Sequence, residues 1–130
     1  RHPDHIAASQ VLTEAIFSAG LRRFDAGGEA WKPDAVFYYF INDSTTPSFV
    51  VDVSDDYEIK RRALACHATQ FAPSGPDAVP TRLTSSRFPQ MIESRDAHFG
   101  AQVRVAFAEG FVSKRTLVRP HLLEGLRTKD

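Results

Sequence analysis

Ala35-Val36-Phe37-Tyr38-Tyr39-Phe40-Ile41 is a continuous apolar and aromatic run of strand length and composition. It predicts a strand covered on both faces, because an uninterrupted apolar segment has no side to offer to water. Turn residues fill Asn42 to Pro47. In Ser48 to Val53, Phe49, Val51 and Val53 alternate with Ser48, Val50 and Asp52, which predicts a second strand. Ser54 or Asp55 can cap the helix that follows, whose inner face is expected to hold Ile59, Ala63, Cys66, His67 and Gln70. Strands and helices in succession predict an α/β fold.

Upstream of that strand, Ala8, Leu12, Ala15, Ile16 and Ala19 recur with the period of one helical face, and Gly20 ends the pattern. The segment from Arg22 to Pro33 is a polar loop. Its Gly27-Gly28 pair lacks the spacing of a phosphate-binding fingerprint, and Trp31 is expected to anchor packing. At the other end of the helix stands Arg1-His2-Pro3-Asp4-His5. Pro3 pushes His2 into extended backbone, so Asp4 is expected to cap the helix with His5 in its first turn. The positive end of the helix dipole disfavours imidazolium, and neutral imidazole is the form that ligates zinc. The same spacing also fits two exposed histidines with no metal role, since a zinc site needs three or four ligands.

Downstream, Ala72 to Thr84 carries Pro73, Gly75, Pro76 and Pro80 and reads as a long irregular loop of the kind that lines active sites. A helix capped by Ser85 or Ser86 is expected next, with Pro89 in its first turn, a stripe of Phe88, Ile92, Arg95 and Phe99, and Gly100 closing it. Arg95 on that stripe calls for a buried carboxylate such as Glu109. Val103 to Ala108 alternates as a strand near a sheet edge, and Glu109-Gly110-Phe111 begins the turn after it. Lys114, Arg115, Arg119, Arg127 and Lys129 make a basic, solvated tail.

With 130 residues and 42% hydrophobic content, the chain can bury one core and not two. Lys and Arg balance Asp and Glu at 16 each, so the basic stripe of a nucleic-acid binder is absent and a small molecule or a protein is the expected partner. No apolar run is long enough to span a membrane. Cys66 is the only cysteine, which excludes an internal disulfide framework, fits a reducing, cytoplasmic compartment and suggests a small buried hydrophobe.

Arg1-His2-Pro3-Asp4-His5, with Ala7-Ala8-Ser9 and Phe17-Ser18-Ala19-Gly20, resembles the second motif of the PIG-L/LmbE-type zinc de-N-acetylases. Further stretches agree in order: Phe49-Val50-Val51-Asp52-Val53-Ser54, Lys60, His67-Ala68-Thr69-Gln70-Phe71, Ile92-Glu93-Ser94-Arg95, Phe99-Gly100 and Ala108-Glu109-Gly110-Phe111. The resemblance runs from Arg1 to about Pro120. It implies a three-layer, Rossmann-like sheet with flanking helices, whose N-terminal strands are absent from this chain. Family members carry an upstream His-Pro-Asp-Asp-type motif that supplies two zinc ligands and the catalytic base, and no such motif occurs here. Residues 1–130 are therefore expected to be the C-terminal part of a single de-N-acetylase domain, short by roughly 100 residues and inactive by itself.

The activity implied by the resemblance is zinc-dependent hydrolysis of the N-acetyl group of a glucosaminyl conjugate, with N-acetylglucosaminyl-malate, on the way to bacillithiol, as the substrate of the branch the motifs match best. The implied roles place His5 as the third zinc ligand and His2 as the group that stabilises the tetrahedral oxyanion or protonates the leaving amine. Asp4 would orient or charge-tune an imidazole, and Arg1 would meet the malate carboxylate. His67 and Gln70 also match the family pattern, either as donors supporting the site or as satisfied core groups. Phe88 stands where relatives have a tyrosine thought to assist the oxyanion, and a phenyl ring cannot donate a hydrogen bond. Zn2+ is the implied cofactor and a small-molecule N-acetylglucosaminyl compound the implied substrate. A homo-oligomer is expected, and a sheet without its first strands should expose apolar edges through which the isolated chain would aggregate, swap or take up a partner fragment. Two alternatives stand beside this reading: a non-catalytic binding or assembly module of the same fold, and a deacetylase for another N-acetyl sugar.

Overall fold

The computed structural model describes residues 2–25, 27–71, 79–85 and 87–121. It divides into two compact units, Arg1–Phe37 with Ser113–Asp130, and Tyr38–Val112. Much of the predicted loop from Ala72 to Thr84, together with Ser86, Arg127 and Lys129, lies outside the described residues.

In the first unit Pro3 opens the helix. It cannot donate a backbone hydrogen bond, and its fixed φ suits the first helical position. Helix α1 therefore spans Pro3–Ala19, and its N-cap is His2, extended at φ −71° and ψ 134°, in place of the expected Asp4. His2 Nδ1 accepts from the Asp4 N–H at 3.3 Å, while Asp4 sits in the first turn, where a carboxylate suits the helix dipole. Gly20 is the C-cap, as its sequence position predicts. The predicted apolar stripe is not buried: Leu12 is 60% exposed, and no residue of α1 falls in the buried class. Ile6, Val11 and Phe17 lie off that stripe, so α1 is apolar nearly all round, the pattern of a helix with no solvent side. Trp31 donates its backbone N–H to the Ala19 carbonyl at 2.8 Å, but its side chain is exposed and anchors no packing.

The second unit is a three-stranded antiparallel sheet with helices, an α/β arrangement. Its strands are β1 (Tyr38–Tyr39), β2 (Phe49–Asp52) and β3 (Ala108–Val112), in the order β1-β3-β2. β2 falls where the alternation puts it. The run from Ala35 to Ile41 yields only two strand residues, Tyr38 opposite Val112 and Tyr39 opposite Phe111. Burial alternates there, with Tyr38 half-buried and Tyr39 exposed, so this edge strand is not covered on both faces as predicted.

Three helices complete the unit: α2 (Tyr57–Ala65), α3 (Ala68–Phe71) and α4 (Arg87–Gln102). Phe88, Ile92, Asp96, Phe99 and Gly100 form the buried face of α4. Together with Tyr57 and Ala108, the apolar members of that face make the core. Ser85 starts the helix, its hydroxyl accepting the Arg87 N–H at 3.2 Å and its carbonyl the Phe88 N–H at 3.0 Å.

The largest departure from the sequence reading follows α4. Gly100 does not close the helix, which continues to Gln102, and the predicted strand from Val103 is a turn. The Val103 and Val105 N–H groups both donate to the Gly100 carbonyl at 3.0 Å, and Arg104 reverses the chain at φ +61°. A Cβ on Gly100 would lie 2.7 Å from the Val105 carbonyl oxygen, so glycine here seats the returning backbone. The strand thus begins five residues later than predicted and runs centrally, paired on both sides, through the Glu109-Gly110-Phe111 segment expected to turn.

Gly110 lies under two rings, and a Cβ there would stand 2.7 Å from Phe99 and 2.9 Å from Phe40. Gly110→Ala is expected to lower the stability of the chain by about 1–3 kcal/mol through overpacking, as read from urea unfolding. Arg104→Gly relieves a left-handed backbone strain in the same unit, so the same experiment should show a gain of up to about 1 kcal/mol.

Candidate functional site

Among the candidates read from the sequence, the first unit brings three together. His2 caps α1, Asp4 follows in its first turn, and His5 comes next, its N–H donating to the His2 carbonyl at 3.2 Å. The two imidazole rings meet edge to face with centroids 6.1 Å apart. The Nδ1 of His2 has two neighbours, the Asp4 N–H at 3.3 Å and the Asp4 carboxylate at 3.5 Å. A neutral ring that accepts at Nδ1 carries its proton on Nε2, so in this state His2 presents a donor to solvent. His2, Asp4 and His5 are all exposed. Arg1 lies outside the described residues.

Among the described residues no three of His, Cys, Asp and Glu converge as a metal site. A single helix end can offer one zinc ligand, or two, of the three or four that zinc requires. The donor chemistry fits part of such a site, with neutral imidazole as the ligand.

His67 and Gln70 belong to the second unit, and both are exposed instead of facing inward. The predicted face of α2 is rotated by one residue, roughly 100°. Ile59 is 55% exposed and Cys66 is exposed too, while Tyr57 is buried and Lys60 and Leu64 are half-buried. The backbone of His67 instead starts α3, its carbonyl accepting from the Gln70 N–H at 2.9 Å.

The reason for the rotation is a charge cluster that the apolar pattern does not show. Asp96 is 0% exposed, and its carboxylate takes three donors: Lys60 Nζ at 2.6 Å, Tyr57 OH at 3.1 Å and Arg95 Nε at 3.1 Å. Lys60 also donates to Glu109, so it bridges α4 and β3. Arg95 uses Nη1 on the Ile41 and Phe40 carbonyls at 3.0 and 3.3 Å, and the expected Arg95–Glu109 pair is replaced by these contacts. Tyr57 stacks flat on Phe107 with centroids 3.7 Å apart, and Arg61 lies over both rings while its Nη2 reaches Glu93 at 2.6 Å. The sequence does carry a signal: Tyr57, Lys60 and Leu64 keep helical spacing, with a lysine in the middle of the stripe. The cluster is fully paired, which is the mark of a structural group more than of a reactive one.

No family model matches the chain. Sequence comparison finds a diacetylchitobiose deacetylase of Thermococcus kodakarensis, 37% identical over 75 residues that cover 54% of this chain and 27% of that protein. A 1D-myo-inositol 2-acetamido-2-deoxy-alpha-D-glucopyranoside deacetylase of Rhodococcus opacus is 31% identical over 106 residues, covering 57% of this chain and 36% of that protein. The chain is similar to sugar deacetylases. Among solved structures, the conserved protein TT1542 of Thermus thermophilus superposes with a TM-score of 0.77 at 28% identity, over 92% of this chain and 49% of its own. The chain thus spans about a quarter to a half of the length of the proteins it resembles. No helix among the described residues is long and apolar enough to cross a membrane.

Burial, then the charge and hydrogen bond of Asp96, and then the charge of Glu93 raise the pKa of the Tyr57 phenol well above its ordinary value of 10, against a lesser opposing effect of Arg61. A raised pKa means that the fold favours the neutral phenol. Its contribution to stability is complete below pH 10 and is lost as the pH rises toward the folded value. Tyr57 should give a late, high-pH phase in a phenolate absorbance titration, in step with alkaline unfolding. Tyr57→Phe should remove that late phase and leave the signal of Tyr38 and Tyr39.

Proposed function

We propose that this chain is part of a zinc-dependent deacetylase that hydrolyses the N-acetyl group of a glucosaminyl conjugate, with N-acetylglucosaminyl-malate on the bacillithiol route as the leading substrate. The observation that carries the reading is the division between the two imidazoles at the start of α1, in a chain similar to two sugar deacetylases. His2 is held by its Nδ1 as a helix cap and turns an Nε2–H donor outward, while no hydrogen bond to another described residue commits the His5 ring.

His5 would be a zinc ligand, and the other ligands would come from outside the described residues. Bound zinc would lower the pKa of water and polarise the amide carbonyl. His2 would donate its Nε2 proton toward the oxyanion or the leaving amine, as a general acid does. Asp4 would bias the charge of the His2 ring, and Arg1 would meet a substrate carboxylate. His67 and Gln70, exposed and in the other unit, carry no role in this proposal. The whole enzyme would complete the sheet as a three-layer, Rossmann-like domain of which residues 1–130 are the C-terminal part. It would self-associate and act in the cytoplasm. A second reading, favoured by the substrates named for the two relatives, is a deacetylase for another N-acetyl sugar.

In the natural gene product His5→Ala should lose bound zinc. His2→Ala should keep it and lose about 10²- to 10⁴-fold in kcat. Metal content by elemental analysis alongside turnover checks the pair, and equal zinc loss in both variants would falsify the division of roles. Rates across N-acetylglucosaminyl-malate, diacetylchitobiose and an N-acetylglucosaminyl inositol choose between the two substrate readings.

A further inference from the structure

We infer that residues 57–71 form a strap that charge holds down, able to open locally while the α4–β3 core stays folded. Four observations in the second unit lead there. α2 has nine residues, and its N-cap, Asp56, makes no side-chain capping bond. A helix this short has no stability of its own without packing. Its apolar packing is confined to Tyr57, which is buried, and Leu64, which is half-buried, while Ile59 is 55% exposed and Ala63 is exposed as well.

The strap is pinned at its two ends by aromatic contacts, Tyr57 flat on Phe107 at 3.7 Å and Phe71 against Phe88 at 5.7 Å between centroids. Between the pins the side-chain bonds to the rest of the unit are ionic: Lys60 to Asp96 and Glu109, and Arg61 to Glu93.

Such an attachment differs from an apolar one. Water can take the place of an ion-pair partner once an opening admits it, which suits the exposed Arg61–Glu93 pair, while the buried Asp96 carboxylate must be solvated as Lys60 leaves it. Asp96 keeps Arg95 as its partner on its own helix, so its carboxylate is not stranded when Lys60 leaves. α4 meets β3 with Phe99 over Gly110, and the buried Ile92, Phe99 and Ala108 all lie outside the strap. Local opening of this kind belongs to the low-stability end of a fold, where loops and switch elements are drawn. What moves with the strap is the exposed turn bearing Cys66 and His67, together with Gln70 of α3.

Hydrogen exchange of the intact chain, read amide by amide, tests this. Glu109→Gln removes one charged partner of Lys60 at a half-exposed position and should leave the fold intact. The α2 amides from 61 to 66 should then exchange roughly tenfold faster, the loss of one charge-assisted hydrogen bond. The α4 and β3 amides should stay within about twofold. Lys60→Met, which keeps the aliphatic stem and removes the bridge, should accelerate α2 further. Unchanged α2 exchange in Glu109→Gln would overturn the inference, whether or not Lys60→Met folds. Equal acceleration of α2, α4 and β3 would overturn it as well, because the strap would then open only with the whole unit.

Discussion

The second unit is organised by a buried carboxylate. Asp96 is fully shielded from water, and an ionised group in that position is tolerated only if its lone pairs are met. Lys60 and Tyr57 reach it from α2, and Arg95 reaches it from the preceding residue of α4. That requirement fixes the rotation of α2. With Lys60 turned inward, Ile59 and Ala63 must turn out. The same requirement sets how Arg95 is spent: its Nε stays on Asp96, and its Nη1 extends to the carbonyls that follow β1. One charge therefore orders a helix, a side chain and a sheet edge.

The backbone around α4 answers to a second constraint, close approach. Gly100 and Gly110 both lie where a Cβ would be within 3 Å of other atoms, the first under the returning chain and the second under two phenyl rings. Glycine near the end of a predicted helix is ordinarily a terminator, and glycine after a predicted strand is ordinarily a turn. Both expectations fail here because space sets these positions and conformation does not. The left-handed residue that reverses the chain is Arg104, four positions past Gly100. Alternation across Val103, Val105 and Phe107 then mimics a strand inside what is a turn.

Legibility in the sequence follows from which forces leave a periodic trace. β2 and α4 are apolar on a regular beat, and their positions are read correctly to within a residue or two. The α2 face is misread because its inner stripe contains a lysine, and a hydrophobic pattern assigns lysine to water. Asp96 escapes for the same reason: adjacent to Arg95, it looks like a surface pair. Cys66, His67 and Gln70 inherit the error, since their inward placement rested on the face chosen for Ile59. At the start of α1 the helix and its charged first turn are legible. The capping residue is not, because a proline at the first helical position moves the boundary back and hands the cap to a histidine.

That shift joins two properties in one ring. An imidazole that caps a helix must offer a lone pair at Nδ1, which leaves the proton on Nε2. The Asp4 carboxylate stands 3.5 Å from the same nitrogen. An aspartate cap would have left His2 free to take either tautomer. With His2 as the cap, the start of the helix selects the tautomer that presents a donor on the side away from the chain. The tautomer of His2 and the first turn of α1 are then joined through a single nitrogen.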